Sequence, residues 1–311
     1  QKLNPFEVDK KKKNKIYINQ IRSLNLHHYN HCEKYKKIIN NLKFNLKNEN
    51  KLEDFPMLPI RIFKKFDLKS VSEDKIVKKL VSSGTSGQEL SKIYLDKKNA
   101  SDQVRVLGRI MSTILGNKRL PMLIIDQNPK NIDKSIFNAR TAAIYGFSIF
   151  GTQHCYLLDE KQNINYISLN NFLKKHGSNN FLIFGFTSLV YENLIQKLSK
   201  NLIENNFKNG ILIHGGGWKK MEKLKINNAI FKKKLVEKIN LNKIYNYYGL
   251  VEQTGSIFFE CKSCSCFVAS AFSEVLVRDK YLKIIKSGKK GFLQLISLLP
   301  SSYPGHSILT E

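Results

Sequence analysis

Four short apolar runs constrain this chain more than any other feature: Met122-Leu123-Ile124-Ile125-Asp126, Phe181-Leu182-Ile183-Phe184, Ile211-Leu212-Ile213-His214 and Ile244 to Tyr247. Each has strand length and lacks the polar alternation of a half-exposed strand, so each predicts a strand covered on both faces. Amphipathic stretches lie between them. Val190, Leu194, Leu198 and Leu202 recur at i+4 and predict a helix over 188–202, and Phe231, Leu235 and Ile239 mark another. Strands alternating with helices predict an α/β fold with a mostly parallel sheet flanked by helices. In such sheets ligands collect beyond the carboxyl ends of the strands.

Three of those ends carry glycine beside an aromatic residue: Gly185-Phe186-Thr187, Gly215-Gly216-Gly217-Trp218-Lys219 and Tyr248-Gly249-Leu250-Val251-Glu252. Glycine lets a planar ring approach backbone, an aromatic side chain offers a stacking face, and a carboxylate beside phosphates suits magnesium. Taken singly, each has a plainer reading. The glycine triplet is a turn, Trp218 is core, and Glu252 is a helix-terminal carboxylate favoured by the dipole. Phe184, Phe186, Leu189 and Val190 read as core ahead of pocket lining.

A second feature lies upstream. Val81-Ser82-Ser83-Gly84-Thr85-Ser86-Gly87 packs four hydroxyls and two glycines into seven residues, between the strand-like flanks Lys78-Lys79-Leu80 and Lys92-Ile93-Tyr94-Leu95. Hydroxyls and inward-pointing amides can wrap an anion, although an ordinary Ser/Gly turn explains the segment taken alone. It is neither a P-loop, since no Gly-Lys-Ser/Thr closes it, nor a dinucleotide fingerprint. Combined with the strand ends, it points to a nucleoside triphosphate.

Tyr17, Ile21 and Leu24, and then Tyr35, Ile38, Ile39 and Leu42, predict two or three helices before residue 55, and His27, His28 and His31 read as surface histidines. Pro56 and Pro59 punctuate a linker. Val106, Leu107, Ile110, Met111 and Ile114 form a helical stripe that Gly116 can cap.

With 311 residues, 42% hydrophobic and 25% charged, the chain is ordinary for a globular protein. No apolar run reaches the roughly 18 residues of a membrane helix. Gln1-Lys2-Leu3-Asn4-Pro5 carries no export signal, so a cytoplasmic fragment is expected. The net charge of +27 invites nucleic acid. The basic residues, however, are nearly all dispersed lysines, as at Lys219-Lys220 and Lys232-Lys233-Lys234, and arginine is the better reader of bases and phosphates. RNA binding is therefore a minority reading. Of five cysteines, Cys261, Cys264 and Cys266 have metal-like spacing and would need His214 or His306 as a fourth zinc ligand. Reduced thiols near a β segment are the preferred reading.

The hydroxyl loop, Tyr248-Gly249-Leu250-Val251-Glu252-Gln253, the run His214-Gly215-Gly216-Gly217-Trp218-Lys219-Lys220, and the closing Leu299-Pro300-Ser301-Ser302-Tyr303-Pro304-Gly305-His306-Ser307-Ile308-Leu309-Thr310-Glu311 together resemble the acyl-protein synthetase family, from about residue 55 onward. That family is the fatty-acid-activating component of bacterial bioluminescence, within the adenylate-forming acyl-CoA synthetase superfamily. The resemblance implies the large N-terminal domain of such an enzyme. Its expected parts are a helical segment over 1–60, a nucleotide-binding core over 61–256, and a β-rich part over 257–311 preceding a small C-terminal domain.

It also implies roles. Ser82, Ser83, Gly84, Thr85, Ser86 and Gly87 would hold the β- and γ-phosphates of ATP. Gly215, Gly216 and Gly217 would border the adenine, Tyr248 with Gly249 would stack on it, and Glu252 would bind Mg2+. Lys92 would stand in for a catalytic lysine whose usual place holds Leu90. Val251 replaces a family threonine, with Thr254 as the substitute phosphate contact. The expected product is an acyl-adenylate of a fatty or similar acid, passed to a thiol. In this family the thiol is a cysteine near the C-terminus, expected past Glu311 because none of the five here matches. An acyl-accepting reductase or carrier protein is the implied partner, and ligation to coenzyme A, as in phenylacetate activators, is the alternative outcome.

Overall fold

A computed structural model describes residues 4–45, 51–82, 89–129, 139–199, 207–217, 226–285 and 288–310. The four apolar runs form strands β4 (Leu120–Gln127), β6 (Phe181–Phe186), β7 (Gly210–Gly215) and β8 (Lys243–Tyr248). They pair in parallel, Ile183 opposite both Leu123 and Leu212, and Leu212 opposite Ile244. Leu123, Ile125, Ile183 and Leu212 are completely buried, which is why these runs carry no polar alternation. A further strand, β5 (Gly151–Leu158), lies parallel to β4 at one edge, and β9 (Phe258–Glu260) and β10 (Phe267–Val268) extend the other. The spatial order is β10-β9-β8-β7-β6-β4-β5.

Among the described residues the helices are, in order, α1 (Lys10–His31), α2 (Glu33–Asn41), α3 (Ile62–Lys65), α4 (Lys97–Leu115), α5 (Ala139–Ser148), α6 (Tyr166–His176), α7 (Thr187–Val190) and α8 (Asn228–Ile239). Leu169, Leu173, Phe231, Leu235 and Ile239 belong to the same core cluster as the sheet residues. Gly116 follows α4 with φ +74°, the left-handed cap predicted for it. The helix predicted over 188–202 departs from expectation. After Thr187–Val190 the chain widens to π hydrogen bonding over Tyr191–Lys197, and the Lys238 ammonium donates to the Ile195 and Gln196 carbonyls that this turn leaves over.

The chain divides into two compact units that cross the boundaries expected at residues 60 and 256. One comprises Gln1–Thr113, Gly249–Phe258 and Val268–Glu311; the other comprises Ile114–Tyr248 and Phe259–Phe267, and holds nearly all of the seven-stranded sheet. The first unit carries the hairpin β2 (Ile76–Val81) and β3 (Lys92–Asp96). It also carries a four-stranded sheet ordered β1-β13-β12-β11, from β1 (Leu58–Pro59), β11 (Ser273–Arg278), β12 (Phe292–Ser297) and β13 (Ser307–Leu309). Here the helical N-terminus and the β-rich C-terminal part pack together. Tyr17 and Ile21 of α1 share a core with Ile296, Lys13 pairs with Glu274 at 3.0 Å, and the Tyr17 hydroxyl donates to the Ala271 carbonyl at 3.1 Å.

The histidines expected at the surface are not all there. His31 is exposed, whereas His28 is fully buried and stacks on the equally buried His306, with ring centroids 4.9 Å apart. The Pro300 carbonyl, 3.2 Å from His28 Nε2, can only accept, so Nε2 carries the proton and Nδ1 accepts from the Ser70 hydroxyl at 2.7 Å. The Tyr35 hydroxyl and His306 Nε2 both donate to Asn25 Oδ1. This polar network explains the failure, because helical spacing alone does not reveal a buried histidine with partners supplied from residues 70 and 300.

Burial holds His28 well below the ordinary histidine range and pushes His306, and His214 in the other unit, down to about 3. The unfolded chain therefore takes up protons first as pH falls below about 6.5, and stability is lost in that window. His306 and His214 each contribute about 2 kcal/mol of loss between pH 6.5 and 5. Urea unfolding at both pH values should show this loss, and His306→Gln should lose about 2 kcal/mol less over the same interval.

Candidate active site

In the first unit the β2–β3 hairpin brings together the neck of the hydroxyl loop and Glu252. The Ser82 amide donates to the Ser91 carbonyl at 3.0 Å, and the Ser91 amide donates back to Ser82 Oγ at 2.9 Å. The Ser82 hydroxyl is thus engaged in closing the neck. Ser83, Gly84, Thr85, Ser86 and Gly87 lie outside the described residues. Ser91 is buried and its hydroxyl faces the Glu252 carboxylate.

Glu252 sits in a single 3-10 turn, Val251–Gln253, and is only 3% exposed. Burial raises its pKa, while Ser91, its own amide and the Lys64 ammonium on α3 pull the other way without cancelling the effect. The turn is clamped by the closing segment of the chain. The Tyr303 hydroxyl donates to the Glu252 carbonyl at 2.9 Å, and Gln253 Nε2 donates to the carbonyls of Leu295 and Gly305, each at 2.9 Å. Gly305 is required at its position, because a Cβ there would lie 2.5 Å from the Glu252 carbonyl oxygen and 2.4 Å from the Tyr303 ring. The Thr254 hydroxyl is buried close to the Tyr303 phenol but, among the described residues, has no hydrogen-bond partner. Lys92 is half exposed, its ammonium 3.9 Å from Asp67, whose carboxylate also accepts from the Tyr94 hydroxyl at 2.7 Å.

The second unit holds the glycine strand end and Tyr248. Gly215 closes β7 against the Tyr247 ring, where a Cβ would approach Tyr247 Cε1 to 2.5 Å. Gly216 has φ +92°, and a Cβ there would meet the Phe186 ring at 2.9 Å. Gly216 and Gly217 are exposed, whereas Trp218, Lys219 and Lys220 lie outside the described residues. The Thr187 hydroxyl ties β6 to β7, donating to the Gly215 carbonyl at 3.1 Å and lying 3.0 Å from His214 Nδ1. Tyr248 ends β8, half buried, with its ring 6.1 Å from Phe267. Gly249 is exposed and begins the stretch assigned to the first unit.

Sequence reasoning passed over three contributors. Tyr303 and Lys64 act through distant packing, which no local pattern announces. Asp126 did leave a signal: it is the carboxylate that ends the first apolar run. It is 1% exposed at the carboxyl end of β4 and accepts a two-pronged hydrogen bond from Arg140 on α5.

The model of the LuxE acyl-protein synthetase family matches residues 2–311. The chain belongs to the acyl-protein synthetase family. The match takes in the N-terminal helices, beyond the resemblance first seen from about residue 55, in accord with their packing on the C-terminal strands. The long-chain-fatty-acid–luciferin-component ligase of Aliivibrio fischeri is 23% identical over 317 residues, covering 98% of this chain and 80% of that protein.

Among solved structures, 2-hydroxyisobutyryl-CoA ligase in the postadenylation state, in complex with R3-HIB-AMP, aligns over 97% of this chain with a TM-score of 0.69 at 12% identity. ATP-bound MatB from Rhodopseudomonas palustris aligns over 75% with a TM-score of 0.51 at 13% identity. The α/β fold is therefore the one found in these ligases. The chain spans 63% of the length of the first and 41% of the second. Among the described residues, no helix is long and apolar enough to cross a membrane.

Two substitutions probe the geometry. Tyr303→Phe strands the buried Glu252 carbonyl and should cost about 1–3 kcal/mol in urea unfolding. Gly215→Ala forces a methyl into the Tyr247 ring and should cost about 1–3 kcal/mol by overpacking, read in the same assay.

Proposed function

We propose that this acyl-protein synthetase relative activates a carboxylic acid, of the fatty class, as its acyl-adenylate at the expense of ATP and passes the acyl group to a thiol. Family membership over residues 2–311 supports the reaction class, and the likeness to the long-chain-fatty-acid–luciferin-component ligase of Aliivibrio fischeri supports the fatty acid. The observation that carries the reading within this chain is Glu252, a buried carboxylate held in a clamped turn beside the neck of the hydroxyl-glycine loop.

The chemistry assigns work to these residues. A carboxylate oxygen attacks the α-phosphorus, the new O–P bond forms, and the bond to pyrophosphate breaks. Both reactants are anionic, so repulsion has to be offset while the attack is aligned. Ser83 to Gly87 supply hydroxyls and amides for the β- and γ-phosphates. Gly215, Gly216 and Gly217 leave room for the adenine edge, and Tyr248 offers its ring face.

Glu252 fits a hard divalent cation, being an oxygen donor taken out of water whose burial is only partly compensated by Ser91 and Lys64. When bound there, Mg2+ supplies positive charge to the phosphates. Lys64 is a second cation beside Glu252 within the same unit, and Lys92, at the hairpin neck, is the candidate for the phosphate-facing lysine. In this reading the acceptor is an enzyme cysteine, from which a reductase or carrier protein takes the acyl group.

ATP–pyrophosphate exchange by the full-length protein, with a panel of fatty and aryl acids, tests this reading. Exchange should depend on a fatty acid, and Glu252→Gln should lower it at least 100-fold, about 2.7 kcal/mol of transition-state stabilisation, with the unfolding midpoint no lower than that of the parent protein. A hydroxylamine-labile acyl-protein selects the enzyme cysteine as acceptor, and acyl-CoA selects coenzyme A. Absence of exchange with every acid overturns the proposal.

A further inference from the structure

The turn from Cys261 to Cys266, which joins β9 to β10, has no part in the chemistry above. Its backbone is folded tightly: the Cys261 amide donates to the Cys266 carbonyl at 2.8 Å, and the Ser265 amide donates to the Cys261 carbonyl at 2.9 Å. Ser265 adopts the left-handed region, with φ 55°, to close it. This winding gathers the amides of Ser263 and Cys264, with the Ser263 hydroxyl, around the Cys261 sulfur, sets Cys264 beside it, and lets the Cys266 thiol donate to the Cys264 carbonyl at 3.4 Å. Cys264 and Cys266 are exposed and Cys261 is half exposed.

The other candidate ligands for a metal here are committed elsewhere. His306 bonds Asn25 and His214 lies against Thr187. Among the described residues, no group of three or more His, Cys, Asp or Glu side chains is placed to hold a metal ion. The nearest charges are tied down as well. Glu260 is buried and accepts from Lys232 and Asn228, and the Lys262 ammonium lies 4.9 Å from the centroid of the Tyr245 ring.

We propose that this turn is an oxidant-responsive dithiol, in which Cys261 is the sulfur that attacks hydroperoxides and Cys264 is the thiol that closes a disulfide on it. The amides and hydroxyl around Cys261 favour its thiolate and bring its pKa down to about 7, the condition for nucleophilic reactivity near neutral pH. Burial raises Cys32 and pushes Cys155 up to about 11, so those thiols stay protonated, and Cys32 is out of solvent as well.

The Cys261 thiolate attacks one peroxide oxygen, the S–O bond forms as the O–O bond breaks, and the departing alkoxide or hydroxide takes up a proton. Sulfur is oxidised by two electrons to the sulfenic acid and the peroxide is reduced. The Cys264 thiolate then attacks the Cys261 sulfur, the S–S bond forms, and hydroxide leaves as water.

Native protein treated with one equivalent of hydrogen peroxide should lose about 2 Da, and peptide mapping should join Cys261 to Cys264. In Cys264→Ser a sulfenic-acid trap should label Cys261, and in Cys261→Ser no adduct should form in the turn. Iodoacetamide at pH 7.5 should alkylate Cys261 roughly ten-fold faster than Cys266. Unfolding midpoints check that both variants remain folded. Oxidation beginning at Cys32 or Cys155, equal alkylation of the three turn cysteines, or zinc at one per chain in the purified protein would each overturn the proposal.

Discussion

The hydrogen bonds that close on the Glu252 turn organise the first unit. A carboxylate buried to this extent costs folding energy unless something compensates it, and the compensation here is incomplete. The turn is nevertheless held, because Tyr303 and Gln253 bind its backbone and side chain to strand β12 and to the loop between β12 and β13. Stability for the carboxylate is thus supplied by packing far from it in sequence.

The same logic explains why the unit is assembled from both ends of the chain. The Leu299–Tyr303 stretch is also gripped by Asn99 at the start of α4, whose side chain serves the Leu299 carbonyl and the amides of Ser301 and Ser302. His28 of α1 holds the Pro300 carbonyl. The N-terminal helices therefore brace the segment that in turn braces Glu252. The family match across residues 2–311 agrees with this interdependence.

Much of the sheet was legible because parallel strands buried on both faces must be continuously apolar, and four such runs stand out from a lysine- and asparagine-rich background. Edge strand β5 escaped notice because its centre, Gln153-His154, is exposed and breaks the pattern. The π turn at Tyr191–Lys197 was hidden because apolar spacing at i+4 is compatible with either winding, and Lys238 decides the matter from another helix. Gly215 and Gly216 were expected to border a ligand, and their close contacts with Tyr247 and Phe186 supply a packing reason for glycine that the sequence did not show.

The order of strands and helices, the hydroxyl-glycine loop and the Tyr-Gly-x-x-Glu segment follow from local chemistry: hydrophobic period, turn residues and side-chain type. Tertiary structure alone decided that Glu252 is out of water, that Ser82 spends its hydroxyl on Ser91, that Lys92 faces Asp67 and that His28 is core. Burial and partnership are properties of what arrives from elsewhere in the chain. A residue's neighbours at separations of 50 to 270 positions, such as Tyr303 for Glu252 or Pro300 for His28, set its protonation and its reach, and no window of sequence contains them.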